Sequence, residues 1–196
     1  MARRHVSTLN PETFGSLLAA AQANAPWAYE RLYRSMAPAV QGYLRLQGAL
    51  EPEDLTSEVF LGAFGGIGGF HGDESGFRSW VFTIAHRRLI DERRRVGRRP
   101  ARADWSLSET CEPVAGDVED DALAALAERR VRDLCDSLAP DQRDVLLLRL
   151  VGGLTVEQVA HALSRTTASV KALQRRGLAV VRRQLAPETQ HEGATL

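Results

Sequence analysis

The chain has 196 residues, enough for one or two domains with cores of their own. Its 25 basic residues balance 25 acidic ones, so total charge points to no partner, and distribution has to be read instead. No apolar run approaches the roughly 20 residues that span a bilayer, and the Met1-Ala2-Arg3-Arg4 start lacks the apolar stretch of a signal peptide. The chain therefore reads as a cytoplasmic protein with no membrane insertion. Cys111 and Cys135 fit no metal spacing and the five histidines are scattered, which implies no metal site and no cofactor. Without a nucleophile–base pairing or a phosphate-cradling glycine loop, it reads as no enzyme.

In chain order, residues 1–25 form an N-terminal extension. Tyr29, Leu32, Tyr33, Met36, Val40, Tyr43 and Leu44 recur at steps of three and four, which predicts an amphipathic helix over 26–47, bent at Pro38. A second helix opens at Pro52 and runs to about residue 64. On it Asp54, Glu58 and Leu61 fall at i, i+4 and i+7, while Leu55 and Val59 face inward. That stripe is either a solvated acidic face or a docking surface.

Glycines 65, 66, 68, 69, 72 and 76 predict a flexible loop over 65–76. A third helix follows from 77 to about 95, with Phe77, Trp80, Val81 and Ile84 on one stripe, Phe82 and Leu89 on another, and arginines at its end. Two readings fit: an aromatic core with a solvated basic end, or a surface that stacks unpaired bases and grips phosphates. Residues 98–120 lack periodicity and carry the acidic run of Glu109, Glu112, Asp117, Glu119 and Asp120, so they read as a flexible acidic linker.

A second domain begins at 121, with a helix to 137 and another from Pro140 to Gly152-Gly153. Residues 154–163, the turn Ser164-Arg165-Thr166 and residues 167–183 then have the layout of a helix-turn-helix. Thr155 and Gln158 suit a capping box, and Val156, Val159, Ala160 and Leu163 face inward. In the second helix Val170, Leu173, Gly177 and Val181 face inward. Thr167, Ala168, Lys171, Ala172, Arg175 and Arg176 face out, where small side chains allow close approach to base edges and cations meet phosphate or guanine. Ser164 stands where such turns often use glycine. An ordinary helical hairpin with a basic face remains the alternative. Residues 186–196 read as a tail. The fold class is all-α: two small helical domains, the C-terminal one containing the helix-turn-helix.

Leu32-Tyr33 with Pro38, Glu53-Asp54-Leu55-Thr56-Ser57-Glu58-Val59-Phe60, and Phe77-Arg78-Ser79-Trp80-Val81-Phe82-Thr83-Ile84-Ala85 continuing to Leu89-Ile90-Asp91-Glu92-Arg93-Arg94 resemble region two of bacterial sigma factors. Leu138-Ala139-Pro140-Asp141-Gln142-Arg143, residues 154–163 and Val170-Lys171-Ala172-Leu173-Gln174 resemble region four. Two regions and a short linker make the chain similar to the extracytoplasmic-function (ECF) class of RNA polymerase sigma factors. The resemblance spans about 26–95 and 122–184.

It implies that Asp54, Glu58 and Leu61 dock on the beta-prime clamp helices of core RNA polymerase. It implies that the loop and helix carrying Phe70, Phe77, Arg78, Trp80, Arg87 and Arg88 bind and open the minus-ten promoter element. The C-terminal helix-turn-helix would read the minus-thirty-five element and dock on the beta flap. An anti-sigma factor is implied as a further partner. In that family the connector threads the polymerase toward the RNA exit channel, where the acidic segment 109–121 either acts as an electrostatic stand-in for RNA or merely keeps the linker soluble and extended. Where the family often has Asn this chain has Arg87, so its base preference does not carry over. A stand-alone helix-turn-helix regulator is the alternative; it would leave the acidic stripe and the aromatic-arginine helix unexplained.

Overall fold

The structure, a computed structural model, describes the backbone of residues 11–98 and 118–186. Among these residues lie eight α-helices: α1 (Pro11–Gln22), α2 (Pro26–Leu46), α3 (Pro52–Gly66), α4 (Glu74–Arg98), α5 (Val118–Asp136), α6 (Pro140–Leu150), α7 (Val156–Ala162) and α8 (Thr167–Leu185). A 3-10 turn, Ile67–Gly69, separates α3 from α4. Prolines at the first turn start α2, α3 and α6, where the missing N–H costs no helical hydrogen bond. Pro38 lies inside α2 on its exposed side, and the helix continues through it to Leu46.

The second half of the extension at residues 1–25 forms helix α1. Phe14, Leu17, Leu18 and Ala21 are buried at i, i+3, i+4 and i+7, and this stripe seats α1 on the N-terminal domain. Its end is closed by Asn24 in the left-handed region (φ 61°), with Ala25 N–H bonded to the Ala20 carbonyl. Gly48 (φ 76°) ends α2 in the same way, with Ala49 N–H on the Leu44 carbonyl.

The predicted flexible loop over 65–76 is corrected. Helix α3 runs on to Gly66, Ile67 is buried in the 3-10 turn, and α4 opens at Glu74, not Phe77. Asp73 caps it by accepting the Gly76 N–H at 2.7 Å. Gly66, and Gly62 before it, serve close helix packing here. A Cβ on Gly66 would lie 3.1 Å from the Trp80 ring, and one on Gly62 would meet Ile84 and Arg88 at 3.8 and 3.7 Å. Trp80, Ile84 and Arg88 thus lie along α3 as one i, i+4, i+8 ridge.

In the C-terminal domain α5 begins at Val118, so Glu119 and Asp120, read as linker, belong to a helix. The rest of that segment, 99–117, lies outside the described residues, as do Cys111 and the tail from 187. Helix α8 crosses α6 at Gly177, where a Cβ would sit 2.8 Å from Leu146 Cδ1. Helix α7 carries the predicted capping box: Thr155 Oγ1 accepts the Gln158 N–H at 3.2 Å, and Gln158 Oε1 accepts the Thr155 N–H at 2.8 Å. Ser164 adopts φ 52°, which is why a glycine suits such a turn.

The two helical domains do not stand apart. Buried Gly152, in the turn after α6, lies so close to the N-terminal domain that an added Cβ would be 3.3 Å from Phe82. Around this contact runs a polar clasp. Gln47, 2% exposed, donates to Asp144 Oδ1 at 2.8 Å, while Arg93 donates to both the backbone and side-chain oxygens of Gln47. Tyr43, fully buried, meets His86 Nδ1 at 3.0 Å beside them. On the other side of the interface Gln158 Nε2 donates to the Ser75 hydroxyl at 2.9 Å.

Three predictions follow from this packing. Gly65 faces open space, so Gly65→Ala should stabilise α3 by about 0.5–1 kcal/mol, whereas Gly66→Val should destabilise it by about 1–3 kcal/mol by overpacking against Trp80. Thermal or urea unfolding of the two variants checks the opposite signs. The second concerns the clasp. Asp144→Ala removes the better acceptor of the buried Gln47 amide and leaves it only the long 3.5 Å bond to the Tyr43 hydroxyl, about 1–3 kcal/mol against the closed form, so X-ray scattering should report a larger radius of gyration at unchanged helicity. Desolvation, with Arg93 acting the same way and Asp144 opposing, holds His86 below the ordinary 6.5. A depressed histidine leaves the folded state binding fewer protons, so stability is full above pH 6.5 and is lost as pH falls below it. The parent should lose more thermal stability between pH 7.5 and 5.5 than His86→Gln does.

Candidate polymerase and promoter interfaces

Three surfaces carry the predicted site residues. The first is the outward side of α3. Asp54 is exposed, Glu58 is about half exposed, and Leu61 is 74% exposed. Leu55 and Val59 pack inward as expected. The stripe borders a groove between α3 and the end of α4, walled by Leu50, Glu51, Glu92, Arg95 and Val96. Leu50 and Val96 are exposed like Leu61. Carboxylates set among open apolar side chains form a surface suited to a partner with basic and apolar groups.

Arg88, expected with the minus-ten residues, stands on this first surface instead. Its guanidinium lies 3.8 Å from the Glu58 carboxylate, because the helical ridge that starts at Trp80 leads over Gly62 to α3. Arg87, one residue earlier, turns about 100° away and is exposed.

The second surface centres on Phe70 and Trp80, both half-buried and stacked with ring centroids 5.2 Å apart and planes 18° from parallel. Phe77 sits beneath both, at 5.3 Å from Phe70 and 5.8 Å from Trp80, and is fully buried. It forms the floor of the pair and has no surface open to solvent. His71, Gly72 and Asp73 are exposed beside it.

Arg78 and Arg87 flank the aromatic pair but face the C-terminal domain. Arg78 lies against Gly153, and burial lowers its guanidinium pKa with Glu74 opposing. Arg87, Ser79 and Thr83 share a cleft with Gln158 and His161 of α7. In this arrangement the helix-turn-helix lies over the basic half of the second surface.

The third surface is α8. Thr166 caps it by accepting the Ser169 N–H at 3.2 Å. Val170, Leu173 and Gly177 are buried and Val181 half-buried, so the predicted inward stripe holds. Thr167, Ala168, Lys171, Arg175 and Arg176 are exposed and Ala172 half-buried, which gives one continuous outward face with three cations.

Cys135 is buried, and desolvation raises its thiol pKa with Arg143 opposing, which suits a packing residue better than a reactive one. Among the described residues no group of acids, histidines and cysteines could hold a metal ion, and no helix is long and apolar enough to cross a membrane. Sequence reading passed over Gln22, Gln47, Asp73, His86 and Asp144. Only Asp73, a capping type just before a helix, left a local signal.

The family model described as Sigma-70 region 2 matches residues 29–99, and the one described as Sigma-70, region 4 matches 135–183. The ECF RNA polymerase sigma factor BldN of Streptomyces coelicolor is 30% identical over 185 residues, 93% of this chain and 70% of BldN. The ECF sigma factor SigD of Mycobacterium tuberculosis is 28% identical over 177 residues, covering 87% of this chain and 83% of SigD. Among solved structures, CnrH in complex with the cytosolic domain of CnrY shares the fold, with a TM-score of 0.64 at 19% identity over 90% of this chain and 99% of that one. The region-two match rules against a stand-alone regulator, since such a protein needs only the helix-turn-helix. The chain belongs to the ECF RNA polymerase sigma factors, alternative sigma factors that bind core RNA polymerase and direct it to promoters.

Proposed function

We propose that the three surfaces divide the work of initiation. The α3 stripe of Asp54, Glu58 and Leu61 docks on the beta-prime clamp helices. The observation that carries this reading is Leu61, a large apolar side chain left 74% exposed on the same face as two carboxylates. The Phe70–Trp80 pair and the loop 71–73 take up an unstacked base of the minus-ten element. Unstacking costs a few kcal/mol, which aromatic stacking of about 1–3 kcal/mol per base offsets. Arg87 and Arg78 then grip the strand once α7 moves off them. Helix α8 reads the minus-thirty-five element, with its domain on the beta flap. The protein works in the cytoplasm as a transcription initiation factor, not an enzyme. Because CnrH is held by a cytosolic domain of CnrY, an anti-sigma protein is proposed as its inhibitor.

Asp54→Ala with Glu58→Ala should weaken core polymerase binding and leave the fold intact. Both carboxylates are at least partly in solvent, and the 3.8 Å pair of Glu58 with Arg88 contributes less than about 1 kcal/mol at such exposure. Sedimentation or fluorescence binding to core polymerase, beside a melting curve, checks both halves. A double variant that binds like the parent would remove the stripe from the docking surface.

Arg175 and Lys171 should fail in different ways. Arg175→Ala is expected to lose about 1–3 kcal/mol at one base pair of the minus-thirty-five element and to relax selection there. Lys171→Ala should weaken all sequences alike and lower the salt slope by about one unit. Promoters selected from a randomised pool, with affinities at several salt concentrations, separate the two roles.

A further inference from the structure

Helix α1 precedes the region-two match, which begins at residue 29, yet it touches the aromatic site in two places. Phe14, 3% exposed, packs its ring 5.8 Å from Phe77, the floor under Phe70 and Trp80. At the last position of α1, Gln22 Nε2 donates one hydrogen bond to the Ile67 carbonyl at 3.1 Å and another to the Phe70 carbonyl at 2.8 Å. A primary amide has two N–H donors, and both are used here on the backbone that leads into the loop.

The two acceptors matter. The Phe70 N–H already closes on the Ile67 carbonyl at 3.0 Å, which ends the 3-10 turn. Beyond it the chain leaves helical geometry, and the Phe70 carbonyl has no helical N–H to meet. Gly68, Gly69 and Gly72 surround it, and glycine backbone loses the most freedom when ordered. The side chain that holds this stretch therefore comes from outside it, 45 and 48 residues earlier.

We propose that Gln22 is a positioning residue for promoter opening: through its two hydrogen bonds α1 holds the Ile67–Phe70 backbone so that the Phe70–Trp80 pair and the loop 71–73 are set before DNA arrives. The proposal rests on the reading of that pair as the minus-ten opening site. The benefit is preorganisation. A loop already ordered adds no ordering cost to the unstacking of a base, whereas a loose glycine-rich loop adds its own. On DNA that is already open that cost no longer sits on top of melting, so the contribution of Gln22 shrinks.

Gln22→Met tests this directly, because methionine keeps the length and helix preference of glutamine and lacks both donors. The full chain is combined with core polymerase on a promoter it selects from a randomised pool, once as closed duplex and once mismatched across the minus-ten element. A fluorescent base analogue in that element reports opening. The expected result is a loss of about tenfold on the duplex, near-parental activity on the mismatched template, and unchanged affinity for core polymerase. Gln22→Asn, which keeps the amide one methylene too short, should show the same split in milder form. Equal losses on both templates, or no loss on either, would overturn the positioning role, since a merely structural helix lowers the folded fraction for both templates alike. Phe70→Ala in parallel separates the two layers. If it shows no duplex-specific loss, the opening-site reading falls; if it does and Gln22→Met does not, only the role of Gln22 falls.

Discussion

Helix α4 buries Phe77, Val81, Phe82, Ala85 and Leu89 while presenting Trp80, Ile84 and Arg88 to α3, so few of its faces are left to solvent. Five elements accept it: α3 through two glycines, α1 through Phe14, α2 through Tyr43, the turn after α6 through Gly152, and α7 through Gln158. Three of these contacts set candidate site residues. The α3 contact sets Trp80 against Phe70 and brings Arg88 to Glu58; the α1 contact holds the aromatic floor; the Gly152 contact places α7 over Arg87. Interiors are packed without slack, so a change of one methyl group on any of these faces is felt on the others.

This dependence explains why the glycine-rich segment resists reading from sequence. Six glycines in twelve residues have the composition of a flexible loop, and local propensity favours that reading. What decides otherwise is a tryptophan fourteen residues away, whose ring fills the space a side chain on Gly66 would need. Spacing was informative wherever one face of one helix met its own core: the α2 stripe, Leu55 and Val59 under the acidic stripe, the Thr155–Gln158 cap and the inward side of α8. The α1 stripe follows the same rule, and Phe14, Leu17, Leu18 and Ala21 were as legible as any. Phe77 shows the opposite limit, because an aromatic on an arginine-rich helix has the same spelling whether it floors a site or touches a base.

The clasp shows a second kind of silence. Gln47, His86, Arg93 and Asp144 carry no periodicity, and each is an ordinary surface type in its own segment. Their meaning comes from meeting each other across nearly a hundred residues, around a fully buried Tyr43 whose hydroxyl burial pushes strongly toward the neutral form. Groups of this kind are costly to bury and are tolerated where every partner is present, so they specify one arrangement of the two domains over others.

That arrangement has a consequence for how much of the protein is ready to act. The two promoter elements are named for positions about 25 base pairs apart, roughly 85 Å along a duplex at about 3.4 Å per pair. With α7 seated on α4 and α8 on α7, α8 lies only about two interhelical spacings of 8–10 Å from α4. If the two helices take these elements as proposed, the closed form cannot engage both, and promoter affinity would be the intrinsic value multiplied by the open fraction. Core polymerase, by holding the domains apart on its own surface, would remove that factor. On that reading the free protein would be a poor competitor for promoters, and every contact of the clasp would set how poor.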